Sequence, residues 1–280
     1  MHETNTLEKT ESLDALNGHI RACTLTDRPH QRYLLYCPRK VHAHTPIMVA
    51  VHGISRNGRE QVEQFRTLAG RYQAILLAPL FTKPHFKDYQ RLGRVGRGER
   101  ADLALAQMIH EVTQITGARL QPVYLFGFSG GGQFAHRFAM AWPQHVARLA
   151  IGAAGWYTWP DLSRKYPYGV RETDALPGLV FDPREFLRIP ALVMVGEWDA
   201  ERDPGLNRAP HIDRRQGTTR IERGKRWVAA MKDAAAAHGC DTEYRFELLP
   251  SCGHSFVENM ERGNMGERVF EFFFGHKEEQ

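Results

Sequence analysis

Val123-Tyr-Leu-Phe-Gly127-Phe128-Ser129-Gly130-Gly131-Gly132-Gln133-Phe134-Ala135 is an apolar, β-prone run that ends in glycines around one serine and passes into a helix-compatible segment. Strand, G-x-S-x-G, helix is the order in which that pattern presents a nucleophile. So sharp a turn forces the serine backbone into a strained region. Gly127 and Gly131 have no Cβ, which lets strand and helix close on each other. The Ser129 hydroxyl then stands clear of the sheet top. Gly130 offers a backbone N–H at the helix start, where free donors and the helix dipole can meet developing negative charge. The competing reading is a loop that cradles phosphate, but G-x-x-x-x-G-K-[ST] is not present and no lysine follows the glycines.

Outward from this turn, apolar runs alternate with helical patterns. Gln31–Pro38 reads as an early strand stopped by proline. Pro46–Gly53 and Ala74–Pro79 are near-continuous apolar runs, as expected of strands covered on both faces, with a helix-like stretch from Glu60 to Tyr72 between them. Leu105, Met108, Ile109, Val112 and Ile115 share one helical face, and Gly117 is placed to cap it. After the serine turn, a helix to about Trp142 is closed by Pro143. Strands follow at Val146–Gly152, Pro190–Gly196 and Glu243–Leu249. Helices are expected at Trp227–His238 and around Val269, Phe270 and Phe273. The pattern predicts an α/β fold: one mostly parallel sheet, helices on both faces, and a site beyond the carboxyl ends of the strands.

Two segments interrupt the alternation. Residues 155–189, rich in aromatics and prolines, are expected to fold over the site as a small cap. Residues 201–226 carry eight basic and four acidic side chains and read as a solvated charged loop, with attraction of an acidic substrate group as the alternative. Residues 1–25 read as a polar arm or short edge element. No repeat or linker divides the 280 residues, which predicts a single domain.

Composition narrows the function classes. A net charge of +5 is mild for this length and calls for neither nucleic acid nor a membrane surface. No apolar run reaches transmembrane length, and the polar amino terminus predicts no secretory signal. Cys23, Cys37, Cys240 and Cys252 show no C-x-x-C pair or zinc-like spacing, so unpaired thiols in a reduced, cytoplasmic setting are expected. His42-Ala-His44 reads as a polar surface stretch; no metal or organic cofactor is expected. The sequence leaves the oligomeric state open.

A serine hydroxyl needs a base, and the base an orienting acid. In this architecture the chain order is Ser, Asp or Glu, then His. The run Pro190–Gly196 leads into Glu197-Trp198-Asp199, which makes Asp199 the expected acid and Glu197 its rival. Of His211, His238, His254 and His276, His254 stands just after a strand, in Pro250-Ser-Cys-Gly-His254-Ser-Phe256, and is the expected base. Cys252, two residues before it, is the weaker candidate nucleophile. Oxyanion donors are expected from Gly130 and from Val51-His52-Gly53-Ile54-Ser55, with Ile54 N–H ahead of Ser55 and His52 a structural hydrogen-bonding residue. Trp156, Tyr157 and Trp159 either line an acyl or aromatic pocket or pack beneath the cap.

From about residue 30 to 275 these segments resemble the α/β-hydrolase superfamily. His52-Gly53 is similar to its oxyanion loop, Gly127–Gly131 to its nucleophile elbow, and Gly196–Asp199 and Cys252–His254 to its acid and histidine loops. His52–Gly58 and the Gly127-Phe-Ser-Gly-Gly-Gly run look most like its polyhydroxyalkanoate-depolymerase-like and feruloyl-esterase-like members. That resemblance implies a serine esterase acting on a small or oligomeric ester without a cofactor. The alternatives are a prolyl-oligopeptidase-like peptidase and a non-catalytic ligand-binding protein on the same fold.

Overall fold

The computed structural model describes residues 18–275. Eight strands form one sheet: β1 (Ile20–Leu25), β2 (Arg28–Tyr36), β3 (Ile47–Val51), β4 (Ile75–Leu80), β5 (Val123–Phe128), β6 (Val146–Gly152), β7 (Ala191–Gly196) and β8 (Tyr244–Leu249). Their order is β1-β2-β4-β3-β5-β6-β7-β8. The β1–β2 and β2–β4 pairs are antiparallel, and every later pair is parallel. The carboxyl ends of β3 through β8 therefore point one way, and the loops leaving them share one rim.

β3, β5 and β7 sit inside the sheet, and alternate side chains enter two separate cores. Val49, Val51, Leu125 and Val193 join one, together with Leu105 and Phe134. Met48, Ala50, Phe126 and Met194 join the other, with Phe65 and Phe270. This double burial is why those strands read as unbroken apolar runs.

The helices cover both faces: α1 (Gly58–Arg71), α2 (Ala101–Thr116), α3 (Gly130–Ala141), the short α4 (Pro183–Phe186), α5 (Pro210–Gln216), α6 (Arg220–Ala237), α7 (Phe256–Glu261) and α8 (Met265–Phe274). Gly117 ends α2 at φ 72°, a left-handed cap that favours glycine. On α2, Leu105, Met108, Ile109 and Val112 are buried, but Ile115 is exposed and Thr116 takes the inward position.

Of residues 1–25, read as a polar arm or a short edge element, residues 20–25 are the edge strand β1, paired with β2; residues 1–17 lie outside the described residues, as does His276. The stretch between β6 and α4, expected to fold over the site, packs through Thr158 against α3 and α6, with Trp227 Nε1 donating to the Thr158 carbonyl at 2.9 Å and Thr158 N–H to His136. Residues 201–226 are not a solvated loop: they contain α5 and the start of α6, and Arg220 and Arg223 are buried.

Candidate active site

Ser129 sits between β5 and α3 with φ 54° and ψ −112°. Such a backbone is strained for a residue with a Cβ and persists only where its surroundings over-determine it. Here they do. A Cβ on Gly127 would overlap the Gly131 carbonyl, and one on Gly131 would overlap the carbonyl of Val51 at the end of β3. Ser129 N–H donates to Gly152 O on β6 at 2.7 Å. The strand, the helix and both neighbouring strands thus fix the turn, and the hydroxyl points into the rim.

His254 lies in the loop after β8. Its Nε2 is 3.0 Å from Ser129 Oγ, and its Nδ1 is 2.7 Å from Asp199 Oδ2. A carboxylate only accepts, so Nδ1 carries the proton and Nε2 is free to accept from the serine hydroxyl. The Phe128 ring stacks on the imidazole with centroids 5.4 Å apart. Below the ring the loop is held by its own polar groups: Gly253 N–H donates to Glu258 at 2.9 Å, and Asn259 Nδ2 donates to the Gly253 and Ser255 carbonyls.

Asp199 is 3% exposed. The turn it closes after β7 is laced to the histidine loop, since Glu197 N–H donates to Leu249 O and Trp198 N–H to Cys252 O. A Cβ on Gly196 would overlap the Cys252 carbonyl, so only glycine permits this approach. The rival Glu197 points away, its carboxylate accepting from Ser251 N–H at 3.2 Å. Cys252 is fully buried, with Sγ directed at Pro250 O and Glu258 O; burial raises its thiol pKa, which disfavours the thiolate.

One partner of Asp199 went unread in the sequence. Arg220, at the start of α6, donates from NH1 to Asp199 Oδ1 at 2.9 Å and also pairs with Asp203. The side chain is 3% exposed and its Nε is buried without a partner. Ser129, His254, Asp199 and Arg220 therefore form one continuous hydrogen-bonded row.

The loop after β3 lies against the elbow: a Cβ on Gly53 would stand 3.6 Å from Ser129 Cβ. Its shape rests on His52. Phe81 N–H donates to His52 Nε2 at 3.0 Å, which leaves Nδ1–H to donate to Gly53 O at 2.9 Å. Burial pushes the imidazole down to about 4, so it stays neutral at neutral pH. Tyr89 Oη donates to the His52 carbonyl, and Arg56 reaches the carbonyls of Phe81 and Phe86. Gly130 faces this loop, since a Cβ on it would stand 2.9 Å from Ile54 Cγ2 and 2.6 Å from Tyr89 Oη.

These parts enclose a cleft of about 230 Å³ bordered by Ile54, Ser129, Gln133, Asp203, Arg220 and His254. Trp156, Tyr157 and Trp159 do not line it. Trp156 packs under the Arg137 guanidinium, 4.2 Å from the ring centroid. Tyr157 stacks on Trp227, and Trp159 lies beside Arg215. Their apolar area is used in packing the stretch after β6 onto α3 and α6; of that stretch only Gly155 reaches the cleft.

No protein-family model matches the sequence, and no curated protein sequence matches it. Solved structures do. A poly(aspartic acid) hydrolase from Sphingomonas sp. KT-1 is 26% identical, with 86% of this chain and 92% of that one covered and a TM-score of 0.72. A poly(3-hydroxybutyrate) depolymerase from Bordetella parapertussis is 23% identical over 94% and 90% of the two chains, with a TM-score of 0.74. An acetyl xylan esterase from Aspergillus awamori, 16% identical over 91% and 99%, gives 0.54. With the mostly parallel eight-stranded sheet and the serine on a strained turn between strand and helix, these likenesses show that the chain has the α/β-hydrolase fold.

Proposed function

We propose that the protein is a serine hydrolase that cleaves a carboxylic ester through Ser129, His254 and Asp199. The observation that carries the reading is the pair of hydrogen-bond distances at His254, 3.0 Å to Ser129 Oγ and 2.7 Å to Asp199 Oδ2. His254 Nε2 takes the hydroxyl proton as Oγ attacks the acyl carbonyl. Asp199 holds the imidazole in the productive tautomer and stabilises its charged form. The N–H groups of Gly130 and Ile54 receive the oxyanion, each contributing about 3 kcal/mol of transition-state stabilisation. His254 then gives its proton to the leaving alcohol, and water activated by the same imidazole releases the acid. The residues on the rim complete this cycle without metal or organic cofactor.

A cleft of about 230 Å³ suits a short acyl group or one unit of an oligomer better than a long chain. Esterases and depolymerases among the structural neighbours favour ester chemistry. A second reading, amide hydrolysis by the same machinery, is favoured by the 26% identical neighbour, whose named substrate is a polymer of aspartic acid.

A fluorophosphonate probe tests the nucleophile. Native protein is expected to be labelled at Ser129, and Ser129→Ala to remain unlabelled. Equal labelling of the two would end the assignment. Matched short-chain esters and aminoacyl amides then separate the readings, with faster turnover of amides overturning the esterase.

A further inference from the structure

We propose that His30, His85 and Glu99 form a binding site for one divalent transition-metal ion, zinc above all, on the outer side of the loop that follows β4. The three residues come from separate segments and meet around one carboxylate. His30 Nε2 is 3.0 Å from Glu99 Oε2 and 3.0 Å from Oε1, and His85 Nδ1 is 2.9 Å from Oε1. The candidate ligand atoms all lie within 4.8 Å of one another, and the two imidazole rings are 4.4 Å apart. Around a tetrahedral zinc with bonds near 2.0–2.1 Å, ligand atoms stand roughly 3.4 Å apart. Closing the set onto an ion therefore needs shifts of about 1 Å in part-exposed side chains. Two imidazoles and one carboxylate suit zinc or its transition-metal neighbours rather than magnesium or calcium.

The backbone holds these segments in place before any ion arrives. β2 outruns β4, their last paired residues being Arg32 and Leu80, so His30 lies beside the chain as it leaves β4. Glu99 N–H donates to His85 O at 2.8 Å. Gly98, at φ 120°, is pressed so near that a Cβ would stand 2.7 Å from the same carbonyl. His85 and Glu99 are thus tied together by main chain, and His30 is fixed by the sheet.

A further polar group points to a ligand. Gln31 is 1% exposed, and its Nε2 donates to Glu99 Oε2 at 2.7 Å, as a partner that orients a ligating carboxylate does. Its Oε1, on the same amide, is buried with no hydrogen-bond partner. Water on an ion held by the three ligands is a donor of the kind this oxygen lacks. The bland reading, a carboxylate shared by two neutral imidazoles, accounts for the short distances but not for that orphaned acceptor. Glu99 borders an open cleft of about 880 Å³ between the β1–β2 turn and α2, and the His30 and His85 side chains are part-exposed, so an ion can reach the ligands from solvent. A bound ion would clasp the loop whose Tyr89 bonds the His52 carbonyl.

The test is calorimetric titration of the full, EDTA-treated chain with zinc chloride. One ion per chain with a micromolar Kd is expected, with a higher melting temperature in its presence. Glu99→Gln and His85→Ala should each weaken binding by about tenfold or more. Replacing the other paired histidines, His42 and His44, by alanine should leave it unchanged, as should His254→Ala. Should His85→Ala fail to fold, the part-exposed His30→Gln carries the same comparison. Cobalt added to the wild-type chain should give visible d–d bands that zinc abolishes. No binding by about 100 µM free zinc, no cobalt bands, equal affinity in the ligand variants, or loss on replacing His42 and His44 would each overturn the site.

Discussion

At the scale of single residues, Arg220 holds the acid end of the row that starts at Ser129. Its guanidinium neutralises Asp199 from the side opposite His254, and it does so while nearly buried, where an unpaired carboxylate is costly. Asp203, the other carboxylate on Arg220, also acts on His254 electrostatically. Removing the cation leaves Asp199 and Asp203 without the guanidinium that both pair with, so Asp199 is held less firmly against His254 Nδ1. Arg220→Gln should therefore lower kcat/KM by about ten- to a hundredfold, the loss of a charge-assisted hydrogen bond. Arg220→Lys, which keeps the charge, should restore most of the activity. Unchanged kcat/KM in Arg220→Gln, or no recovery in Arg220→Lys, would show that the Arg220 charge does not act on the row. The sequence could not reveal this role. Ser129 is legible because its turn is local, and Asp199 and His254 because each follows a strand. Arg220 meets Asp199 across 21 residues, and in composition it is one arginine among many in a charged stretch.

Among the elements, α6 is the one that carries Arg220 into place, and its first turn is built for that. Thr219 accepts from Glu222 N–H and the Glu222 side chain accepts back from Thr219 N–H, a complete capping box. Thr219→Ala should cost about 1 kcal/mol, a fall of about 2–4 °C in melting temperature, with a larger proportional loss of activity than a cap remote from the site would give. Unchanged stability would show that packing of Trp227 and Val228, not the cap, sets the helix start. Thr219-x-x-Glu222 was in plain view as a start signal, yet hydrophobic periodicity alone begins the helix at Trp227. The reason is physical: Arg220 and Arg223 are buried through ion pairs and carbonyl contacts, so the inward face of the first two turns is not apolar. The same limit explains Trp156, Tyr157 and Trp159. Aromatic residues after a strand fit a substrate pocket or a core equally well, and only the distant Arg137 and Trp227 decide the matter. The inner strands β3, β5 and β7 were legible because burial on both faces makes unbroken apolar runs; at β1 the sequence left an arm or an edge element open, since of its six residues only Leu25 is buried.

At the scale of the whole molecule, both faces of the rim depend on histidines buried in neutral form. His52 ties the loop after β3 to Phe81. His136, fully buried on α3, donates to Gly132 O and accepts from Thr158 N–H at 2.9 Å, anchoring the stretch after β6. Burial lowers the pKa of both, His52 to about 4 from an ordinary 6.5. Between those values the unfolded chain binds the proton and the folded chain does not. The contribution is therefore fully present above pH 6.5 and is lost as the pH falls toward 4. For His52 alone the loss at pH 5 is about 2 kcal/mol, or roughly 5 °C in melting temperature. Melting temperature should thus begin to fall near pH 6.5, before most carboxylates titrate. In His52→Gln the amide oxygen can still accept from Phe81 N–H but takes up no proton, so the slope between pH 6.5 and 5 should become shallower, with His136 and His145 still contributing in the same direction. A wild-type melting temperature that is flat to pH 5, or an unaltered slope in His52→Gln, would show that the buried imidazoles do not set the acid limit of this fold.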